Sequence, residues 1–301
     1  MAGSTKSKTK AGREPKAAPA AVAAYTMYGL PWLRPAVREL WAGLRARLLE
    51  AGMARVPARL TWNRAEEDLW RAPDLLVSQT CGYPLVKGVT GPVRLVAAPT
   101  YAAPWCEGIQ YRSLIVVAKG SAVTGVDQLF GRVCAVNKPI SHSGYNALRR
   151  LIADYVHQRR HADGAVAGRA GGEAFFRAVR VTGSHVKSME AVARGKADVA
   201  AIDAVTYHLV ERGNPELTTA LRVLTATLPA PGLPLITAHW RPDDELRVLR
   251  QALADCLADP ALKPALAALR ISGFQVPSED TYAPILEMER RAEDLGYPVV
   301  R

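Results

Sequence analysis

The sequence predicts an α/β protein of two lobes joined by a two-segment hinge, with a ligand cleft between the lobes. Short β-branched runs alternate with amphipathic helical stretches, a pattern typical of βαβ units and a mainly parallel sheet. A long apolar run over 111–119 has nothing helical before the next strand, so it takes the chain across to a second lobe. Strand-like runs over 221–225 and 234–238 then bring the chain back, and two crossings form a hinge.

The first lobe is predicted to begin with a strand over 24–29 and a helix that Pro35 opens and Gly52 ends. Apolar residues recur at helical spacing along this helix and predict its buried face: Val37, Leu40, Trp41, Leu44 and Leu48. Further strands are predicted over 59–62, 74–78 and 93–97.

The second lobe is predicted to repeat one unit, in which a strand delivers the chain through a short polar turn to the start of a helix. Its strands are predicted over 132–137, 178–182 and 198–203. The last two helices end at Gly195 and Gly213, a usual position for glycine. After the returning strands, only helices are predicted.

These elements set the predicted domain boundaries. Residues 1–24 are predicted to be a disordered basic tail, because they are rich in Ala, Lys, Ser and Pro and have no periodic apolar face. Residues 25–118 form the first part of lobe one, and residues 119–222 form lobe two. Residues 223–301 return to lobe one with the C-terminal helices. We expect a monomer.

Composition and charge exclude several classes of protein. With 301 residues, 49% of them hydrophobic, the chain can bury a sizeable core. No apolar run approaches the roughly 18 residues of a membrane helix, so a membrane-spanning protein is not expected. The net charge of +11 belongs partly to the tail and is otherwise spread along the chain without interleaved aromatic residues, so no nucleic-acid partner is predicted.

The four cysteines have no spacing typical of a metal site. Cys134 and Cys256 lie in apolar stretches and are interpreted as small buried hydrophobes. Cys81 and Cys106 each follow a strand-like segment, and for them a disulfide and two free thiols are both open, since geometry decides the outcome. No metal and no cofactor is predicted.

The segment Ser141-His142-Ser143-Gly144-Tyr145 is the main candidate for a binding site. A strand that reaches a helix start through a Ser/Gly loop presents free backbone N–H groups and the positive end of the helix dipole, which together favour an anion. Gly144 lacks the side chain that would block close approach. The alternative is that Ser141 or Ser143 merely caps the helix.

A second turn, Gly183-Ser184-His185, places another serine and a histidine at another helix start of the same lobe. Because helix starts gather at the carboxyl edge of a parallel sheet, the two turns are expected to converge on one small anionic ligand. His185 would donate to an oxyanion, or would be a surface or capping imidazole. Asp203 ends the next strand and either accepts a hydrogen bond from the ligand or caps the following helix.

In the first lobe, Thr80 and Tyr83 occupy an equivalent turn after a strand, together with Gln79. Tyr28, Trp105 and Tyr111 are candidate walls of the cleft. For each aromatic residue, packing in the core is the alternative.

Motifs of known catalytic sites are absent from the sequence: there is no GxSxG, HExxH, P-loop or GxGxxG segment. No acid–base pair and no activated nucleophile can be assigned to the loops, so the chain is not predicted to be an enzyme.

The order of Ser141-His142-Ser143-Gly144-Tyr145-Asn146, Gly183-Ser184-His185 and 195–203 (GKADVAAID) resembles the phosphate, phosphite and phosphonate substrate-binding proteins of ABC transporters. The resemblance implies a type 2 periplasmic-binding fold, a small oxyanion as ligand, and a transporter permease as partner if the chain is exported. It implies oxyanion contacts at Ser141, Ser143, Gly144 and His185, with Tyr83 as a looser match. Val205 stands where such proteins place a carboxylate.

Two cellular locations are open, the periplasm and the cytoplasm. The resemblance implies the periplasm, whereas no export signal is evident, because Ala17–Ala24 is interrupted by Pro19 and is only weakly apolar. A cytoplasmic location would admit the alternative function, an enzyme of the same fold that acts on a small metabolite in the closed cleft.

Overall fold

The computed structural model describes residues 21–162 and 174–301. Its strands are β1 (Val22–Ala23), β2 (Leu75–Gln79), β3 (Val93–Tyr101), β4 (Cys106–Glu107), β5 (Gln110–Tyr111), β6 (Ser113–Ala118), β7 (Val133–Val136), β8 (Ala178–Val181), β9 (Val199–Asp203), β10 (Leu221–Ala226), β11 (Ala230–Pro231), β12 (Leu235–Ala238) and β13 (Ile271–Gln275). Its α-helices are α1 (Arg34–Glu50), α2 (Glu66–Trp70), α3 (Gly82–Val86), α4 (Ala147–Ala162), α5 (His185–Ala193), α6 (Ala204–Gly213), α7 (Pro215–Thr219), α8 (Asp243–Ala258), α9 (Lys263–Ala268) and α10 (Ala283–Asp294).

Two five-stranded sheets organise the chain. The first has the order β1-β2-β12-β3-β13, and the second has the order β10-β6-β9-β7-β8. Within these sheets β1 runs parallel to β2, and β7 runs parallel to both β8 and β9, while the other neighbouring pairs are antiparallel. The expectation of a mainly parallel sheet is therefore wrong, because β6 and β12, which follow the crossings between the sheets, run against both of their neighbours, and β13 runs against β3.

The predicted domain boundaries stay a prediction, and several elements near them differ from the expectation. Residues 1–20 of the predicted tail lie outside the described residues, whereas β1 falls within 21–24. The second sheet includes β6, which lies before the predicted start of lobe two at 119, and β10, which extends past its predicted end at 222. Residues 59–62 form no strand. They lie beside β1, and the Thr61 N–H donates to the carbonyl of Ala23 at 2.8 Å.

A strand that sequence analysis missed lies among the C-terminal helices. β13 pairs antiparallel with β3 and completes the edge of the first sheet, so helices alone do not follow the returning strands. Gly273 interrupts this short run, and a glycine inside a strand weakens the strand pattern.

The first sheet shares one core with α1, α8 and α9 and a smaller one with α2. The predicted apolar face of α1 is buried, and it packs against Leu246, Leu249 and Leu253 of α8. Full burial of such a side chain contributes about 1.5–3 kcal/mol relative to leaving it exposed. The second sheet has its own cores, one beneath α4 and one beneath α5 and α6. No described helix is long and apolar enough to cross a membrane.

Helix α10 and the residues after it contact both halves of the molecule. The first half is built on the first sheet, and the second half on the second sheet. Ile285 and Met288 pack with Cys81 and Tyr83 beside the first sheet, whereas residues 295–300 contribute to the core beneath α4. Glu289 of α10 lies between these contacts. Its carboxylate accepts hydrogen bonds from the Tyr83 hydroxyl and from Lys87, and it pairs with Arg149 of α4 at 3.2 Å.

We predict that Arg149→Met lowers the free energy of unfolding by about 3 kcal/mol, because removing one partner leaves the Glu289 carboxylate poorly compensated in a buried site. The Arg149 guanidinium is also lost as a donor to Asn146 Oδ1 at 2.6 Å and to the Pro298 carbonyl at 2.7 Å. Urea denaturation measures the change. The matched control is Arg290→Met, whose exposed pair with Glu287 is worth at most about 1 kcal/mol. Equal losses in the two variants would contradict the argument.

Candidate functional site

A cleft of about 540 Å³ opens between the ends of the two sheets. The first half of the molecule lines it with the loop 26–32 and with Trp70, and the second half lines it with residues of 137–143 and 183–187. This size is within the range of small-ligand sites. The cleft therefore lies where the two predicted turns converge.

The first helix start is a single wide turn, His142–Asn146, that leads from β7 into α4. Ser141 caps it, since its hydroxyl accepts from the Gly144 N–H at 3.1 Å. Ser141 therefore caps the helix, and its contact with a ligand stays a prediction. Ser143 does something else: its Oγ lies 2.8 Å from Nε2 of His185. This contact joins the two helix starts.

Gly144 is required by a close neighbour. A Cβ at this position would lie 2.0 Å from Oδ1 of Asn137 and 3.2 Å from Cε1 of His185. The missing side chain lets Asn137 reach across the turn and place its Nδ2 3.3 Å from Nε2 of His185. Close approach is the expected use of this glycine, and here the approaching group is a protein amide.

The second helix start is α5. Ser184 caps it by accepting from the Lys187 N–H at 3.2 Å, and both residues line the cleft. Burial lowers the pKa of His185 to about 4, partly opposed by a hydrogen bond with the Ala201 backbone. The imidazole is therefore neutral at neutral pH and contributes hydrogen bonds to the cleft rather than charge.

Asp203 lines the cleft, but protein groups occupy both of its oxygens. One oxygen accepts from the Thr206 N–H at 2.7 Å and caps α6, and the other accepts from the Tyr28 hydroxyl at 3.0 Å. Burial raises the pKa of this carboxyl to about 6, against hydrogen bonds from Thr206 and Tyr28 that lower it. Asp203 therefore caps α6, its contact with a ligand stays a prediction, and its bond to Tyr28 crosses from one half of the molecule to the other.

Six candidate residues do not line the cleft: His142, Gly144, Tyr145, Thr80, Tyr83 and Tyr111. His142 donates its backbone N–H to Sγ of Cys81 at 3.3 Å, and Thr80 is fully buried. The Tyr145 hydroxyl accepts from the Val300 N–H at 3.2 Å. Tyr83 belongs to the Glu289 network, away from the expected ligand contact.

Tyr111 is also buried, and it lies next to His142. Its ring lies 6.3 Å from that of His142 and at a steep angle to it. Burial raises the pKa of its hydroxyl well above the usual value, and a hydrogen bond with Ser143 partly opposes the shift. Tyr111 is therefore a buried neighbour of Ser143 that does not line the cleft.

The candidate walls and cysteines have clear outcomes. Tyr28 lines the cleft, whereas Trp105 is half exposed and contributes nothing to it. Cys81 lines the cleft as a free thiol, and Cys106 is free too, so the two form no disulfide. Within the described residues, no group of three or more His, Cys, Asp or Glu could hold a metal ion.

Sequence reasoning missed most residues of the wall, and four of them make specific contacts. Asn137 and Lys138 follow β7 directly, a position that could have drawn attention to them. Lys138 reaches across the cleft to Glu66, with Nζ 2.7 Å from the carboxylate. Trp32 packs over Gly213, where a Cβ would lie 2.1 Å from the indole nitrogen. Glu66 and Trp32 come from the first half and had no local signal.

Comparison with known proteins agrees with this architecture. A family model described as "ABC transporter, phosphonate, periplasmic substrate-binding protein" matches residues 37–282. The binding protein component of an ABC phosphonate transporter from Pseudomonas aeruginosa is 20% identical, with a TM-score of 0.69, and the match covers 92% of this chain and 88% of that one. PhnD1 from Prochlorococcus marinus, solved with methylphosphonate, is 15% identical, with a TM-score of 0.67, and the match covers 91% and 98%. No curated protein sequence matches.

At 15–20% sequence identity, the solved structures establish the fold and nothing about the ligand. They confirm the predicted two-lobed α/β architecture of the type 2 periplasmic-binding kind, with its cleft between the lobes.

We predict that His142 makes the protein less stable in acid. Burial lowers the pKa of this imidazole to about 3, from 6.5, so the native state keeps it neutral while the unfolded chain takes up a proton. Its contribution is fully present above pH 6.5 and is lost as pH falls towards 3, by up to about 1.4 kcal/mol per pH unit.

His142→Gln should therefore reduce the slope of the free energy of unfolding between pH 6.5 and 4.5, measured by urea denaturation at several pH values. Glutamine keeps an acceptor for Asn146, whose Nδ2 lies 3.3 Å from Nδ1 of the imidazole. His239→Gln, at an exposed position, should keep the wild-type slope. If both variants keep it, His142 is not the group that titrates.

Proposed function

This chain belongs to the family of periplasmic substrate-binding proteins of phosphonate ABC transporters, and we propose that its cleft captures a small phosphonate- or phosphate-like oxyanion. The family consists of transport binding proteins and not of enzymes, so the enzyme alternative has no support. The partner that we propose is the permease of such a transporter.

The contact between Ser143 and His185 is the observation that carries this proposal. It brings the starts of two helices together at one end of the cleft. Backbone N–H groups in the first turn of a helix have no partner within the helix, and the helix dipole adds positive potential there. Two such starts at one point favour the oxygens of a tetrahedral anion over a neutral ligand.

Hydrogen-bond donors, and not excess positive charge, provide the affinity in this proposal. Lys138 and Lys187 line the cleft together with the carboxylates Glu66, Glu190 and Asp203. Lys138 is already paired with Glu66, and the neutral His185 adds no charge. Hydrogen bonds to a charged group each contribute about 1.5–3 kcal/mol, so a few well-placed donors suffice.

The other end of the ligand would face the loop 26–32. Tyr28, Leu30 and Trp32 give this wall apolar and aromatic surface. Each Asp203 oxygen already accepts a hydrogen bond from the protein, and Val205 is buried in the core, so neither residue offers an unpaired carboxylate to a ligand amine. A ligand with a small apolar substituent therefore suits the cleft better than an aminoalkyl phosphonate.

We predict that methylphosphonate raises the melting temperature of the protein in proportion to the logarithm of its concentration once it exceeds the dissociation constant. Ser143→Ala and His185→Ala should each weaken binding by about tenfold or more, because each removes a group at the junction of the helix starts. Thermal shift and calorimetric titration measure both effects. Phosphate, sulfate and 2-aminoethylphosphonate complete the ligand panel.

The matched controls are Ser272→Ala and His239→Ala, which change exposed residues of the first half. Both should bind like the wild type. If no oxyanion of the panel shifts the melting temperature, or if the cleft variants bind as tightly as the controls, the proposed ligand class is wrong.

A further inference from the structure

A second cavity, of about 530 Å³, lies beside α1 and shares no lining residue with the cleft. Helix α1 forms one wall with Arg38, Trp41, Ala42 and Arg45. These positions share one helix face, because residues three, four and seven apart lie above one another. The segment 58–62 forms the opposite wall and contributes Arg59 and Trp62.

Three guanidinium groups meet at this cavity, and no carboxylate lines it. Within 21–162 and 174–301, no hydrogen bond or ion pair joins Arg38, Arg45 or Arg59 to another residue. Arg47, two residues after Arg45 on the same helix, shows the contrast, since it pairs with Asp259 at 2.7 Å. Like charges that converge without a counter-charge repel each other, and a bound anion relieves this repulsion.

Buried donors at the same place also lack acceptors. Trp41 is only 6% exposed, and neither its indole N–H nor the Nε–H of Arg45 has a partner within the described parts of the chain. Buried polar groups in native proteins are rarely left without a partner. Both donors belong to residues that line the cavity.

Trp62 is held in a fixed position on the opposite wall. The Arg34 guanidinium lies 5.3 Å from its ring centre. A Cβ at Gly29 would lie 3.1 Å from the ring, so the glycine lets the indole pack closely against the loop. A fixed indole offers an apolar surface on which a planar ring can stack.

We propose that this cavity binds a planar aromatic ligand that carries several negative charges, of which a nucleoside polyphosphate is the representative. The aromatic ring packs against Trp62. The phosphates accept hydrogen bonds from the guanidinium groups of Arg38, Arg45 and Arg59, whose geometry matches phosphate oxygens. The volume is in the range of small-ligand sites. The N-terminal residues 1–20 do not suit the cavity, because they carry five basic residues and one acidic residue.

The test is calorimetric titration of the full chain with ATP, inorganic triphosphate and adenosine at low ionic strength, without divalent cations. ATP should bind at least about tenfold more tightly than triphosphate or adenosine, because it alone has both the ring and the charges. Arg45→Gln and Arg59→Gln should each weaken ATP binding about tenfold or more. Trp62→Leu should weaken ATP binding and leave triphosphate binding unchanged.

Two controls separate this site from the rest of the molecule. Arg180→Gln removes an exposed arginine of β8 and should leave ATP binding unchanged. Ser143→Ala changes the cleft and should also leave it unchanged, whatever its effect on methylphosphonate. The proposal is overturned if ATP does not bind, if the two arginine variants bind it like the wild type, or if Ser143→Ala abolishes binding. Equal affinities for ATP and triphosphate would overturn the aromatic part.

Discussion

The meeting of Ser143 and His185 is the contact on which the candidate site depends. Their side chains come from helices that follow different strands of the second sheet, and the 2.8 Å contact fixes the two helix starts relative to each other. Because β7 runs parallel to both β8 and β9, the turns after these strands gather at one sheet edge. The topology of the second sheet therefore creates the site, and the side chains refine it.

The groups around this contact act as supports in layers. Asn137 contacts Nε2 of His185, because Gly144 leaves room for it. Tyr111 is a buried neighbour of Ser143. Behind them, His142 and Asn146 pack against Cys81 and Ile285 through hydrogen bonds. Rigid support of this kind keeps donors in place before a ligand arrives, so less conformational entropy is lost on binding.

The sequence was informative where the signal is local. A Ser/Gly turn between a β-branched run and an amphipathic helix occupies a few consecutive residues, so the helix starts at Ser141 and Ser184 could be found. Contacts between distant residues gave no such signal: Asn137 and His185 are 48 positions apart, and Tyr28 and Asp203 are 175 apart. Strand direction was missed for a related reason, because a short apolar run does not record which way its neighbour runs.

Opening of the cleft is constrained by the C-terminal helix. Groups from the two halves already meet at the cleft through Tyr28 with Asp203 and through Lys138 with Glu66. Away from the cleft, α10 contacts α3 on one side and α4 on the other, with Glu289 bonded to both. Any movement that separates the halves at the cleft must therefore shift α10 relative to at least one of these helices. Since charged and buried partners resist such shifts, Glu289 and its partners oppose this movement although they lie outside the cleft wall.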